Sequence, residues 1–412
     1  MDYNTGSDPL KLPLDLAAVD EFSLYHAFEQ VQDRRQKRGV RYSVALVLTL
    51  IVLSKLAGMT TLAATTHWVR LRAATLSQLL PVKREKFPCA ATYSNVLQTV
   101  EEQEVIQVVA HLLTRLAATR RCGEEPSRLL SQTEARELQV QVALDGKTLR
   151  GTLGHVAPDE PSVHLVTLYE VQTGVVLAQQ AVPEKQNEIS LEAVLLTPPA
   201  VYGRIITADA MHTQRVCCAT ITRFGGHYLF LAKGNQPMLE EDLRLFFSEP
   251  PQDCRDWRQA ITCDKGHGRR EKRVLVASTE LNEFLGTAWP NVGQVFQVER
   301  TVWERGQMRQ ETIWGITSLS PQQASPLRLL QLIRRHWAIE NRLHWRRDVS
   351  LREDHCQVRK GAAPLVLAAL NNTILAILDF LRVCNVPQQM RVFDAQPQRA
   401  VRLLLGSLLT FI

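Results

Sequence analysis

The spacing of apolar and polar residues changes twice along the 412-residue chain. Apolar residues three and four positions apart predict helices over most of residues 21–116, including the strongly apolar stretch 44–57. The spacing then changes to alternation, which is typical of strands. It predicts three strands in meander order, over residues 138–144, 163–169 and 175–181.

Strands and helices alternate in the region that follows. The pattern predicts a helix over 187–196, a strand over 204–208, a helix over 213–224 and a strand over 227–232. Such alternation indicates an α/β fold, with a mixed sheet flanked by helices.

The next region predicts mainly β structure, and helices return only near its end. It contains two hairpin-like pairs. The first includes residues 271–278, which follow a polar turn over 265–268, and the second pairs residues 294–303 with 308–316 across a turn with Gly306. Helical spacing resumes at Pro326.

These changes divide the chain into four predicted parts. They are a helical N-terminal domain over 1–135, the first part of an α/β core over 136–235, a β-rich insertion over 236–324 and a helical remainder of the core over 325–412. Residues 1–20 are predicted to be a loose arm and residues 120–136 a linker.

Composition narrows the class of protein only moderately. The formal charge of +6 is compatible with a nucleic-acid partner, although many other enzymes are equally basic. The eight cysteines contain no C-x-x-C pair, which excludes a zinc ribbon and favours reduced thiols. The apolar stretch 44–57 is interrupted by Lys55 and is too short to span a membrane. We therefore expect a cytoplasmic protein with no membrane partner.

The richest stretch for chemistry is residues 334–354, RRHWAIENRLHWRRDVSLRED. It lacks Pro and Gly and is predicted to be helical for at least four turns. Residues three or four apart share a helix face. One face would carry His336, Glu340, His344 and Arg347, and a neighbouring face with Ile339, Leu343 and Arg346 could pack inward.

Three carboxylates are candidates for a shared metal site. Asp145 and Asp209 each follow a predicted strand, and Glu340 lies on the basic helix. Oxygen ligands of this kind suit a pair of Mg²⁺ ions, which can activate water in phosphodiester chemistry. Each acid also has an ordinary structural explanation. Asp145 could belong to an Asp-Gly turn, Asp209 could cap a helix, and Glu340 could pair with a nearby arginine.

Other residues of the basic stretch compete for the same roles. Asp348, Glu353 and Asp354 are alternative acids, and Asp348 lies two helical turns from Glu340. His336 and His344 could instead bind zinc with Glu340, although two histidines eight positions apart do not match the usual zinc helix.

Five motifs stand together in an order that resembles a known family. They are ALDGKTLRGT (143–152), ITADAMHTQ (206–214), HYLFLAKGNQ (227–236), KGHGRREKR (265–273) and the basic stretch 334–354. This set resembles insertion-sequence transposases of the DDE type, in the branch called H-repeat-associated proteins. The resemblance covers nearly the whole chain. It includes the family's associated N-terminal domain, in the block that begins at Phe28, and a further motif, PEKQNEIS (183–190).

The resemblance implies a ribonuclease H-like catalytic core with a β insertion before the last acid. It implies Asp145, Asp209 and Glu340 as catalytic residues and as ligands of two Mg²⁺ ions, for which Mn²⁺ could substitute. The related pattern has a Tyr seven residues before the Glu, an Arg four before it and a Lys seven after it. Ile333, His336 and Arg347 stand at these positions here.

The implied function is DNA transposition. Water would cut the end of the element, and the freed 3′-hydroxyl would then attack target DNA. A homodimer is expected, because two DNA ends must be held together. Candidate DNA contacts are Lys147, Lys233, Arg335, His336, Arg342, Arg347 and Trp303. Two alternatives stay open at this point, a domesticated or inactive copy that only binds DNA and a structure-selective DNA nuclease.

Overall fold

The structure is a computed structural model that describes most of the chain. It covers residues 20–38, 40–82, 85–123, 140–152, 162–183, 187–266 and 268–406, with the backbone alone for residues 117–123. The predicted N-terminal arm, nearly all of the predicted linker and part of the PEKQNEIS motif lie outside these ranges.

The N-terminal region is helical, as its spacing predicts. The helices are α1 (Leu24–Glu29), α2 (Val44–Leu56), α3 (Leu62–Leu71), α4 (Ala73–Leu79), α5 (Ala90–Thr99) and α6 (Glu102–Gly123). Every residue of α2 is buried, which explains why it is apolar on all sides. The hydroxyl of Ser43 accepts a hydrogen bond from the Leu46 amide and begins this helix.

Within the described ranges, a mixed sheet of nine strands forms the centre of the fold. The strands are β1 (Val140–Thr148), β2 (His164–Glu170), β3 (Val175–Ala181), β4 (Arg204–Ala208), β5 (His227–Ala232), β6 (Arg258–Gly266), β7 (Arg269–Ser278), β8 (Gln294–Glu304) and β9 (Gln307–Thr317). Their spatial order is β3-β2-β1-β4-β5-β9-β8-β7-β6. The strands β1, β4 and β5 run parallel, and the other neighbours are antiparallel. The predicted mixed sheet is confirmed.

The predicted hairpins of the insertion extend this same sheet through the pairing of β5 with β9. The turn between β8 and β9 has positive φ angles at Arg305 and Gly306, as two-residue hairpin loops require. The strands β6 and β7 form the first predicted hairpin, although the sequence analysis assigned no bounds to β6.

Helices cover both faces of the sheet. After the meander come α7 (Glu188–Leu195), α8 (Pro198–Val201), α9 (Arg215–Arg223), α10 (Pro237–Ser248) and α11 (Asn282–Gly286). After β9 come α12 (Pro326–His336), α13 (Trp345–Val349), α14 (Ala363–Phe380), α15 (Val386–Ala395) and α16 (Pro397–Leu405). The prediction missed α10 and α11, which lie in the region expected to be mainly β.

The two faces of the sheet have separate hydrophobic cores. Val142 and Leu144 pack with Leu191 of α7 on one face. Ala143 points to the other face, where it belongs to a core formed by the N-terminal helices and α14. That second core joins the first and last predicted domains, so the four-part division stays a prediction about chain organisation.

The helix α14 is long and apolar enough to cross a membrane by length and composition alone. However, 83% of this helix is buried inside the structure. This is the packing expected of a central core helix.

Near the candidate acids, one local prediction is wrong and another is correct in extent but not in helix type. The sequence predicts that Asp145 follows the end of a strand, but β1 continues to Thr148 because β2 pairs with it as far as His164. The sequence also predicts helix for at least four turns from Arg334, and residues 334–349 are helical apart from a turn at Trp337. However, α12 ends at His336 and residues Ile339–His344 are π-helical, which the sequence did not predict.

An ion pair between two buried side chains holds α13, the helix that follows the π-helical segment. The guanidinium of Arg347 is 0% exposed and donates through Nε to Glu353 Oε2 at 2.7 Å. The amide of Asn371 on α14 donates to the other oxygen of Glu353, also at 2.7 Å. The pair therefore attaches α13 to the central helix.

We expect Glu353→Gln to lower the free energy of unfolding by about 3–5 kcal/mol, because it leaves the Arg347 charge buried without a counterion. Urea unfolding followed by circular dichroism measures the change. The control is Glu241→Gln, which breaks the exposed pair with Arg244 and should leave stability unchanged. Equal stability of Glu353→Gln and wild type would contradict the structural role.

Candidate active site

Strand register brings two of the predicted acids side by side. The parallel pairing of β1 with β4 ends with Leu144 opposite Ala208, so Asp145 and Asp209 are the next residues on each strand. Neighbouring strands lie about 4.8 Å apart. Side chains alternate along a strand, so both aspartates project toward the face that α12 covers. Asp209 also caps the short 3₁₀ turn Ala210–His212, as the alternative explanation of this residue predicted.

His344 lies between Asp145 and Glu340, the third predicted acid. His344 Nδ1 lies 3.3 Å from Glu340 Oε2 and 3.5 Å from Asp145 Oδ2. Ligand atoms of these three residues all lie within 4.8 Å of one another, close enough to hold one metal ion. The π-helical segment allows this arrangement, because it places Glu340 outward while Ile339 and Leu343 are buried. The predicted inward packing of those two residues is confirmed.

The environments of the two clustered carboxylates differ. Burial raises the pKa of Asp145, although the nearby His344 opposes the shift. The hydrogen bond from His344 lowers the pKa of Glu340, whose side chain is half exposed. A buried carboxylate gains from a nearby cation, because its negative charge is poorly solvated.

The three acids line one cavity of about 770 Å³. The wall formed largely by β7 and β8, the basic wall, carries mostly cations, although Glu271, Glu311 and Asp264 pair with several of its arginines. The cations that line the cavity are Lys233, Arg269, Arg273, Arg300 and Arg334. An anionic ligand that enters this cavity would therefore meet carboxylates at one end and cations along the other wall.

Three of the predicted DNA contacts are engaged inside the protein. Lys147 is 8% exposed and binds Asp348 at 2.7 Å. Arg342 donates to the Val171 carbonyl at 2.7 Å, and Arg347 is fully buried against its carboxylate partner. These bonds supply internal partners for the cations, so the structure lends no support to their predicted role as phosphate contacts. Asp348, as the partner of Lys147, is likewise occupied.

The other four predicted contacts have different positions. Lys233 is half exposed and lies 4.0 Å from Asp209. Arg335 is exposed on α12. His336 accepts or donates through Nδ1 to the Thr207 hydroxyl at 3.1 Å, and burial lowers its pKa to about 4. Trp303 lies near the end of β8, with the guanidinium of Arg270 5.7 Å from its ring. His336 and Trp303 thus have structural partners of their own.

Sequence reasoning missed the basic residues of the insertion that face the acids. Arg269 and Arg273 belong to the motif KGHGRREKR, which indicates the family without indicating individual contacts. Arg300 lies on the neighbouring strand, opposite Arg273. Side chains alternate along β7, so Arg269 and Arg273 lie on one face of the strand. This period of two is the pattern in the sequence that could have identified them.

A second charged cluster lies behind the aspartates, on the opposite face of the sheet. Glu188 Oε1 lies 2.6 Å from His164 Nε2, and Glu188 Oε2 lies 3.2 Å from His212 Nε2. The other ring nitrogen of His212 lies 2.9 Å from Glu192 Oε1. This set of four residues, the back-face cluster, was not identified from the sequence.

The back-face cluster strongly favours charged forms. Burial opposes the charge on His212, but Glu188 and Glu192 outweigh it and raise the pKa of His212 to about 9. Burial likewise opposes the charge on Glu188, but the two histidines lower the pKa of Glu188 to about 2. His212 is therefore an imidazolium at neutral pH, held between two carboxylates.

This charge predicts a loss of stability at alkaline pH. The pKa of His212 is raised by folding, so its contribution is complete below 6.5, the ordinary value, and is lost as pH rises through about 9. The total is roughly 3 kcal/mol. Urea unfolding across this interval should show wild type losing stability, and His212→Gln should flatten the decline. Identical pH profiles for the two proteins would contradict this.

Comparisons with known proteins place the chain in one family. Residues 137–376 match the family described as "Transposase DDE domain", and residues 25–112 match the family described as "DDE_Tnp_1-associated". The chain is 28% identical over 242 residues to the "H repeat-associated putative transposase YhhI" of Escherichia coli, covering 58% of this chain and 63% of that protein. It is 28% identical over 293 residues to an uncharacterized protein in the dhlA 3′ region of Xanthobacter autotrophicus, covering 71% and 92% respectively.

Among solved structures, the chain is similar to the one described as "Cryo-EM structure of piggyBac transposase synaptic complex with hairpin DNA". That similarity has 11% identity and a TM-score of 0.39 over 98% of this chain and 81% of that one, and no argument rests on it. The chain spans less than two thirds of the length of the Escherichia coli relative. The match to the DDE domain covers more than half of this chain and includes all three acids, so the chain belongs to the DDE transposase family.

Proposed function

We propose that this protein is a DNA transposase of an insertion sequence, which cuts DNA and joins a 3′ end to a target. The observation that carries the proposal is the placement of Asp145, Asp209 and Glu340 at one end of a cavity whose opposite wall is basic. Family membership supports the same reaction class.

The topology supports a ribonuclease H-like core as the frame for this site. The order β3-β2-β1-β4-β5, with an antiparallel meander followed by parallel strands, places two acids at adjacent strand positions. In this proposal, the helical N-terminal region, which shares a core with α14, recognises the DNA sequence. The strands β6 to β9 are an insertion that supplies the basic wall.

The donor set fits hard divalent cations. Carboxylate oxygens of Asp145 and Glu340 and a ring nitrogen of His344 lie within 4.8 Å of one another, and Asp209 lines the same cavity. We propose that these residues hold two Mg²⁺ ions, for which Mn²⁺ can substitute. Bound there, such ions supply activation of water and stabilisation of the leaving oxygen.

The chain's own residues would position the DNA backbone against the acids. Lys233 lies beside Asp209, where its ammonium can bind a phosphate oxygen next to the cleaved bond. Arg269 on the basic wall is half exposed and can supply a further phosphate contact, whereas Arg300 is paired with Glu271 and Glu311. Two DNA ends would require two copies of the chain, so the proposed assembly on DNA is a homodimer in the cytoplasm.

We expect Asp145→Asn and Glu340→Gln each to abolish nicking of element-end DNA in the presence of Mg²⁺ or Mn²⁺. Gel analysis of end-labelled DNA measures the loss, and electrophoretic mobility shift confirms that binding survives. Asp348→Asn is the matched control, because Asp348 binds Lys147 instead of facing the metal site. Nicking by Glu340→Gln and not by Asp348→Asn would reverse the assignment of the third acid.

The two alternative functions give different results in the same assay with a target plasmid added. A transposase both nicks the end and joins the 3′ end to the plasmid. A nuclease cuts branched DNA and never joins it. Binding without nicking under any metal, by wild type, would favour an inactive DNA-binding copy.

We also expect the basic wall to set the salt dependence of DNA binding. The double variant Lys233→Gln, Arg269→Gln should weaken binding similarly for all sequences. It should also reduce the slope of log affinity against log salt by about 0.9 for each phosphate that the protein no longer neutralises. Fluorescence anisotropy at several salt concentrations measures this slope. Arg244→Gln, on the exposed face of α10, is the control. An unchanged slope in the double variant would remove the wall from the DNA path.

A further inference from the structure

We propose that the back-face cluster positions the two aspartates of the metal site, with Glu188 as the central residue. This inference rests on the proposed metal-dependent function. It concerns residues that touch neither metal nor DNA and act through the backbone of the strands in front of them.

Glu188 is held directly behind Asp145. A Cβ atom added at Gly146 would lie 2.4 Å from Glu188 Oε1 and 2.6 Å from Oε2. Gly146 follows Asp145 and points to the opposite face of β1, so the carboxylate of Glu188 packs against the backbone that carries Asp145. Glycine is needed here for this close approach and not for an unusual φ angle.

The same carboxylate also holds the turn that carries Asp209. His212 is the last residue of the 3₁₀ turn that Asp209 caps, and its side chain is 1% exposed. Its two nitrogens lie 3.2 Å from Glu188 and 2.9 Å from Glu192. Both carboxylates belong to α7, so this helix fixes where β4 ends and the turn begins.

His164, the first residue of β2, links Glu188 to the end of β1. Its Nε2 lies 2.6 Å from Glu188, and its Nδ1 lies 2.8 Å from the Thr148 hydroxyl at the end of β1. Glu188 thus contacts β1, β2 and the turn after β4 at once. A displacement of this one carboxylate would change the separation of the two aspartates.

The cost of burial indicates a positioning role. Buried charges are expensive, and an apolar cluster of similar volume is often at least as stable. Residues behind metal ligands commonly change metal affinity or activity about 10- to 100-fold when they are substituted. A carboxylate that sets the spacing of two ligands has such a use for its charge.

The experiment measures Mn²⁺ binding by electron paramagnetic resonance on the full chain without DNA. We expect Glu188→Gln and His212→Gln each to weaken Mn²⁺ binding about 10- to 100-fold. The control is Glu170→Gln. Glu170 is also a buried carboxylate, but it lies at the end of β2 and 3.9 Å from Arg204. Urea unfolding with EDTA present gives the stability of each variant. A purely structural role predicts losses of stability without a loss of affinity that exceeds the control's.

A double-mutant cycle tests the contact with Gly146 itself. Gly146→Ala in the wild-type background should weaken Mn²⁺ binding, because the new Cβ displaces the Glu188 carboxylate. In the Glu188→Ala background the space is vacant, and the same substitution should cause little further loss. Equal losses in the two backgrounds would overturn the proposed contact.

If Glu188→Gln does not fold, His164→Gln provides the milder test, because it removes one contact of Glu188 and leaves the buried His212 in place. A smaller loss of Mn²⁺ affinity supports the proposal, and wild-type affinity in this variant contradicts it. Absence of Mn²⁺ binding by wild type would overturn the proposed metal site as well. Normal wild-type binding with unchanged variants would overturn the positioning role alone.

Discussion

The register between β1 and β4 is the constraint on which the candidate site depends. It ends with Leu144 opposite Ala208, so the next residue of each strand is an aspartate. A shift of one residue would turn one of the two carboxylates to the opposite face of the sheet, because side chains alternate along a strand. The buried residues before each aspartate protect the register, since Val142 and Leu144 fill one core while Ala143 fills the other.

The position of the third carboxylate, Glu340, depends on the π-helical segment that carries it. A regular helix through residues 334–347 would keep His336, Glu340, His344 and Arg347 on one face. The π-helical segment shifts the later residues, so Arg347 enters the core and Glu340 remains at the surface beside His344. The buried bond between Arg347 and Glu353 holds the shifted half in place. Glu340 is therefore positioned by interactions on the far side of its own helix.

Charge is distributed differently on the two faces of the sheet. On the front face, carboxylates are partly exposed and face a basic wall across an open cavity, which suits an exchangeable anionic ligand. On the back face, His212 is enclosed between Glu188 and Glu192, and its charge is balanced within the protein. The same types of residue thus serve two purposes. Enclosed ion pairs hold the backbone on the back face, whereas the partly exposed charges of the front face can bind a ligand.

The sequence alone determined the kinds and order of the main elements and indicated the three candidate acids. Period-two alternation located most strands, and the motifs around Asp145, Asp209 and Glu340 indicated the family. Tertiary structure decided which cations are available and which acids have internal partners. The sequence gives no sign that Lys147, Arg342 and Arg347 have partners. In the structure, each of them forms an ion pair or binds a backbone carbonyl. Arg269, Arg300 and the back-face cluster became visible only once strands far apart in the chain were adjacent, because charge pairing depends on distance in space and not on spacing along the chain.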